Sequence, residues 1–260
     1  MTAVRPAEGP PRVLAIHCHP DDLEIQCGGT LCRLADLGCE ITLATLTAGD
    51  LGSADRTREE IAAVRRAEAQ RSADLLGATY DCLGLNDLTI THDDASRRVV
   101  TAAVRRARPE LILTAPPIDY MSDHEVASRL VRDAAFAASV PLYECGEPPT
   151  ERMPHLYYCD PVGHAGPLGE PWRPGIVVDV SDQIERKLEL LACHESQRGW
   201  LRKQHGIDEY LAGARRWSAA RGELIGTAYA EGFRQHLGHP HPTDDLLGTL
   251  LAAERPHDAA

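Results

Sequence analysis

The chain has 260 residues, 43% of them hydrophobic, enough to bury the core of one large α/β domain without a second. Its 27 Lys and Arg against 39 Asp and Glu give a formal charge of -12 with no dense basic stretch, which argues against a nucleic-acid partner. No apolar run approaches the roughly 20 residues of a membrane span, and the first thirty residues carry no charged segment followed by an apolar core, so a soluble cytoplasmic protein with no membrane partner is expected.

Residues 1–11 are polar and proline-rich and read as a disordered segment. Residues 13–18 form a short buried strand that ends at the Pro20 turn. Helical spacing over 31–37 stops at Gly38, and the β-branched run 41–46 completes a β-α-β unit. Residues 56–76 place apolar or alanine positions three and four apart, which predicts a long amphipathic helix stopped by Gly77. A strand at 80–83, a helix at 96–107, a strand at 111–114 and a helix at 123–138 continue the alternation. Over 140–175 proline and glycine are frequent and periodicity fades, as in a long functional loop region. A strand at 176–180, helices at 182–194 and 207–222, a break at 238–242 and a short helix near 244–253 follow, then a loose tail at 254–260. Strands alternating with helices predict a single α/β domain over 12–253, a mostly parallel sheet with helices on both faces. The eight cysteines include no Cys-x-x-Cys pair, which fits reduced, buried thiols better than disulfides or a cysteine-zinc site.

The chemistry concentrates in His19-Pro20-Asp21-Asp22, at the carboxyl end of the first strand. In an open α/β sheet that edge is where ligands bind. Three residues apart in a turn, His19 and Asp22 are able to present their side chains to one ion, leaving Asp21 free to take a proton; the alternative is an Asp-rich helix cap. The loop 119–125 leaves another strand and offers His124, whose alternative is a first-turn residue of a helix capped by Ser122 or Asp123. With His19 and Asp22, His124 completes a three-ligand set with positions left for water and substrate, as catalytic zinc prefers. Ferrous iron or cobalt suits the same donors. Asp50 and Asp87 lie in βα loops at the expected crevice, as hydrogen-bonding partners of sugar hydroxyls or as turn residues. His17 reads as a packed strand histidine, and His236, His239 and His241 as an ordinary loop among Gly238, Pro240 and Pro242. Gly28-Gly29 lacks any accompanying nucleotide-binding pattern, so no nucleotide cofactor is expected.

Several motifs resemble the PIG-L/LmbE-like deacetylase family: His19-Pro20-Asp21-Asp22-x-Glu24 with Gly28-Gly29-Thr30, the helix segment 65–77, Asp123-His124, His194-Glu195-Ser196-Gln197, and Ala228-Tyr229-Ala230-Glu231-Gly232-Phe233. The likeness spans about residues 13–233. It implies a Rossmann-like fold, a homo-oligomer and zinc-dependent removal of an acyl group from nitrogen, commonly acetyl from a small amino-sugar conjugate of N-acetylglucosamine type. By position it implies that His19, Asp22 and His124 hold the metal and that Asp21 is the general base. Asp123 would tie down a ligand or the active-site loop, and Arg65 would orient Asp21 or contact substrate.

One departure stands out. Many relatives have His-Pro-Asp-His where this chain has Met121-Ser122-Asp123-His124, so a histidine that helps polarise the carbonyl is absent. His194, where some relatives place a tyrosine that reaches the active site, is the expected replacement donor. Two other readings accompany the deacetylase: a metal-dependent hydratase of an unsaturated dicarboxylic acid, whose members tend to lose the aspartate found here at Asp22, and a non-catalytic binding protein of the same fold.

Overall fold

Strand β1 (Arg12–His17) is buried from Val13 onward, and its alternate side chains enter opposite cores. Val13 and Ala15 join one apolar cluster, Leu14 and Ile16 the other. This is what a near-continuous apolar run becomes when helices cover both faces of a sheet. The computed structural model describes residues 10–199 and 209–252. From β1 the chain alternates through α1 (Asp22–Asp36), β2 (Glu40–Thr47), α2 (Arg58–Leu76), β3 (Thr79–Leu85), α3 (Asp94–Ala107), β4 (Leu111–Thr114) and α4 (Ser122–Ala137). It then adds β5 (His155–Cys159), β6 (Ile176–Asp179), α5 (Ile184–Ala192), α6 (Glu209–Gly222), β7 (Ala230–Gln235) and α7 (Leu246–Leu251).

The seven strands form one sheet in the order β3-β2-β1-β4-β5-β7-β6. Pairing is parallel from β3 across to β5 and antiparallel where β7 meets β5 and β6. The order reverses between β1 and β4, so the loops leaving these two strands diverge and open a crevice at their carboxyl ends. Those loops are the ones that carry His19 to Asp22 and Asp119 to His124. All eight cysteines are free, and no described helix is long and apolar enough to cross a membrane.

Three features depart from the sequence expectations. The 140–175 region contains β5, a central strand whose residues Leu156 to Cys159 are buried; five residues set between Pro154 and Pro161 are too few to show a period. Strand β7 is likewise short and interrupted by Gly232. Helix α1 begins at Asp22 rather than near residue 31, and it is broken at Cys27 (φ -141, ψ 16). The break frees the amides of Gly29 and Thr30, which donate to the Glu231 carboxylate at 2.9 and 2.7 Å, while Lys187 Nζ donates to the same carboxylate at 2.6 Å. A helix restarted on a buried anion explains why helical spacing is readable only from residue 31. Gly29 has to be glycine, because a Cβ there would stand 2.7 Å from Val180 Cβ where the helix meets the end of β6. Residues 1–9 of the segment expected to be disordered at 1–11, the tail 254–260, and residues 207–208 of the helix expected at 207–222 lie outside the described residues.

Candidate metal and catalytic site

The turn after β1 and the start of α4 bring three side chains to one point. His19 Nδ1 lies 3.2 Å from His124 Nε2, and the Asp22 carboxylate places Oδ2 3.3 Å from the first and Oδ1 3.4 Å from the second. All three residues are buried. Two donors on one zinc ion, each at about 2.0–2.1 Å and at a tetrahedral angle, stand roughly 3.3 Å apart, so this spacing and donor chemistry fit a metal. Burial works against the charge on Asp22, but His124 and His17 outweigh it and hold the carboxyl well below the usual carboxylate range. Two other groupings of possible ligands overlap this triangle: His17 with Asp22 and His124, and Cys18 with His19 and Asp123. The second is the poorer donor set, since burial pushes the Cys18 thiol up to about 12.

Both candidate imidazole ligands have a carboxylate behind them. His19 Nε2 faces Asp87 Oδ1 at 3.0 Å, and His124 Nδ1 faces Asp119 Oδ1 at 3.3 Å. Carboxylates in these positions fix the tautomer and the direction of a ligating imidazole. Asp87 is therefore behind His19 as well as on the cavity wall, and its amide donates to Asp50 Oδ1 at 3.0 Å. Asp50 also pairs with Arg58 and does not line the cavity, so the structure puts it in support of the Asp87 loop rather than toward a sugar. Asp123 accepts from the Leu88 amide at 2.7 Å, tying the same loop to α4, and stands 3.9 Å from His19 Nε2. Asp119 has no assigned role in the sequence reading; its place in the strand-exit loop one turn before His124 is the available signal.

Asp21 adopts φ 103, a left-handed conformation rare outside glycine, and is turned away from Asp22. Its Oδ2 accepts from the Tyr210 hydroxyl at 2.6 Å, and its Oδ1 lies 3.4 Å from Arg65 Nη2. Arg65 projects from α2, which starts with a Thr57/Glu60 capping box, and also donates to the carbonyls of Pro20 and Gly49 at 2.7 and 3.2 Å. Gly49 (φ +61) leaves room for that guanidinium; a Cβ would overlap it. Burial pushes the Asp21 carboxyl above its ordinary value, against the pull of Arg65 and Tyr210. Two adjacent carboxylates are thus driven apart, one firmly ionised among imidazoles and one readier to take a proton.

Tyr210 escapes sequence reasoning because it sits on α6, 189 residues from Asp21, with no motif around it. Its O–H favours the ionised form of Asp21, so removing it raises the Asp21 pKa further. If Asp21 serves as a base, Tyr210→Phe is therefore expected to move the acid limb of the kcat/KM profile to higher pH and to cost about tenfold or more at neutral pH. An acid limb that stays in place would remove Tyr210 from this role.

His194 is not placed as a carbonyl donor. It is fully buried, its Nε2 lies 3.0 Å from Glu24 Oε1, and it does not line the cavity. Glu24 also accepts from Ser72 at 2.6 Å, which makes this an internal brace between α1, α2 and the segment after α5. The neighbouring Ser196 and Gln197 bind Glu68 and the Gly52 carbonyl, and of that segment only Gln197 reaches the cavity.

Above the site lies a cavity of about 640 Å³, with His19, Asp21, Asp22, Arg65, Asp87 and His124 on its polar side. Tyr120, Met121, Tyr210, Arg216 and Trp217 form much of the rest. Its volume suits a small-molecule ligand. Fold and site together define a doubly wound α/β protein with a His-Asp-His candidate metal centre at the switch point of its sheet. The PIG-L family model, described as GlcNAc-PI de-N-acetylase, matches residues 14–135. The chain is 30% identical over 241 residues to diacetylchitobiose deacetylase of Thermococcus kodakarensis, covering 86% of this chain and 82% of that protein. It belongs to the PIG-L deacetylase family. The structure of N,N'-diacetylchitobiose deacetylase from Pyrococcus horikoshii superposes with TM-score 0.74 at 28% identity, over 90% of this chain and 88% of that one. A 4-oxalmesaconate hydratase of Pseudomonas putida is 26% identical, over 71% of this chain and 73% of that protein.

Proposed function

We propose that the protein is a metal-dependent N-deacetylase that removes an acetyl group from the nitrogen of a small amino-sugar conjugate. The observation that carries this reading is the triangle of His19 Nδ1, His124 Nε2 and Asp22 with the raised carboxyl of Asp21 beside it, on the polar side of one cavity. Deacetylation by the Thermococcus relative supports the reaction class. His19, Asp22 and His124 would hold the ion, with zinc the best fit and ferrous iron or cobalt compatible with the same donors. Bound there, the ion would supply Lewis-acid chemistry, acidifying water and polarising the amide carbonyl.

The protein's own groups do the rest. Asp21 takes a proton from the attacking water at Oδ1, the oxygen that Tyr210 leaves open, and returns it to the departing nitrogen. Arg65 keeps that carboxylate anionic and fixed to the Pro20 turn. Asp87 and Asp119 hold the two imidazoles in direction. Tyr120 and Trp217 give the wall flat apolar surfaces suited to the faces of sugar rings, while Met121 offers no donor to the carbonyl. A panel of N-acetylglucosaminyl conjugates, assayed for free amine and acetate, tests the proposal; stoichiometric release of both is expected. Water addition to an unsaturated dicarboxylate, with no amine released from any conjugate, would instead favour the hydratase reading that the Pseudomonas relative keeps open.

A further inference from the structure

His17 occupies a place where a strand buried on both sides ordinarily carries an apolar residue. It is the last residue of β1, has no exposed surface, and points to the same face as Val13 and Ala15, toward α1. Burying an imidazole there is costly unless both ring nitrogens find partners. They do: Nδ1 lies 2.6 Å from Asp22 Oδ2, with the Cys18 amide 2.8 Å from the same nitrogen, and Nε2 lies 3.1 Å from Gln26 Oε1; because an ionised carboxylate only accepts, the short contact to Asp22 puts the proton on Nδ1. Asp22 and Gln26 are four residues apart on α1, so one helix face presents both to the ring.

The distances separate two roles for this residue. Donors sharing one ion stand about 3.3 Å apart, as His19 Nδ1 and His124 Nε2 do at 3.2 Å and His124 Nε2 and Asp22 Oδ1 do at 3.4 Å, whereas 2.6 Å between a ring nitrogen and a carboxylate oxygen is a hydrogen bond with a proton between them. We propose that His17 is a positioning residue that donates Nδ1–H to Asp22 Oδ2 and so turns Asp22 Oδ1 toward the metal. The amide of His19 donates to the same Oδ2 at 2.7 Å, which leaves Oδ1 as the oxygen without a donor of this kind. With its proton on Nδ1, the neutral ring accepts at Nε2. The Gln26 carboxamide matches that when its nitrogen turns to the ring, which also gives a partner to a buried nitrogen that otherwise has none among the described residues. Asp22 is thus held from behind by a second imidazole, as His19 is by Asp87 and His124 by Asp119.

The inference rests on the metal reading of the site, and the test separates the two. Zinc affinity is measured by competition with a chromophoric chelator for the wild type and for His17→Ala, His17→Leu and His17→Asn, each checked for its fold by circular dichroism. Loss of the donor is expected to weaken zinc binding about 10–100-fold in the Ala and Leu variants. Asn, whose Nδ2–H takes the place of Nδ1–H, is expected to recover most of the loss, and Leu is not, although it fills the core better. Cobalt(II)-loaded His17→Leu is expected to keep the wild-type visible band positions, since no ligand has been removed. Equal affinity in all four proteins, or no difference between Asn and Leu, would overturn the positioning role. Displaced cobalt bands would make His17 a ligand and overturn it too. A wild type that takes up no metal would overturn the metal reading beneath it.

Discussion

Asp21→Asn is expected to lower kcat by about 10²–10⁴-fold while leaving zinc uptake unchanged. Asparagine keeps the shape of the carboxylate and one acceptor oxygen for Arg65, while its amide nitrogen can meet Tyr210 only by donating to the hydroxyl; it accepts no proton at any working pH. Burial raises the Asp21 carboxyl, so in the wild type activity should climb with pH through a limb above the ordinary carboxylate range, and fall below it as Asp21 becomes protonated. The variant should lose that limb altogether. Steady-state rates across pH, with metal content measured on the same samples, check both halves. An Asn variant within a few-fold of wild type at neutral pH would take the base away from Asp21. Loss of metal together with activity would show that Asp21 shapes the ligand set instead.

Stripping the metal is expected to have a comparable effect. Dialysis against a strong chelator should reduce turnover by about a thousandfold or more, since Lewis-acid chemistry supplies several kcal/mol of transition-state stabilisation. Zinc should restore it in the wild type. In His124→Ala it should not, because only His19 and Asp22 of the triangle would remain. Stability should move in the same direction: Asp21, Asp22, Asp87, Asp119 and Asp123 are all buried around the site, and a cation bound only by the folded chain stabilises it by about 2.7 kcal/mol at a hundred times its Kd. Thermal melts with and without zinc measure this. Full activity of chelator-treated, metal-free protein would end the metal-dependent reading, whatever the melts show.

Much of this molecule is legible in its sequence, for local reasons. The apolar run over 13–18 and the Pro20 turn announce a buried strand, and in the structure β1 covers Arg12–His17. Gly77 stops α2 in a left-handed conformation as expected. Strand β4 has the bounds 111–114 expected from the alternation of elements. His19 and Asp22 lie near each other because three residues of one turn cannot separate them far. Short elements with little period are harder: β5 and β7 owe their strand form to pairing with partners far away in the chain, and the first half of α1 is masked by its break at Cys27.

The sequence by itself determines the residue types and the local turns: an imidazole and two carboxylates leaving one strand, and a second imidazole leaving another. It also determines the alternation of strands and helices, from which the doubly wound sheet follows. Only the tertiary structure decides which nitrogen of each imidazole faces inward, that Asp87 and Asp119 stand behind them, that Tyr210 touches Asp21, that His194 faces Glu24 inside the fold and not the cavity, and that His17 faces Asp22 instead of plain core. The physical reason is range. Turn and period are set by neighbours within a few residues, whereas a contact across 189 residues exists only because packed helices and a sheet of fixed strand order hold both ends in place.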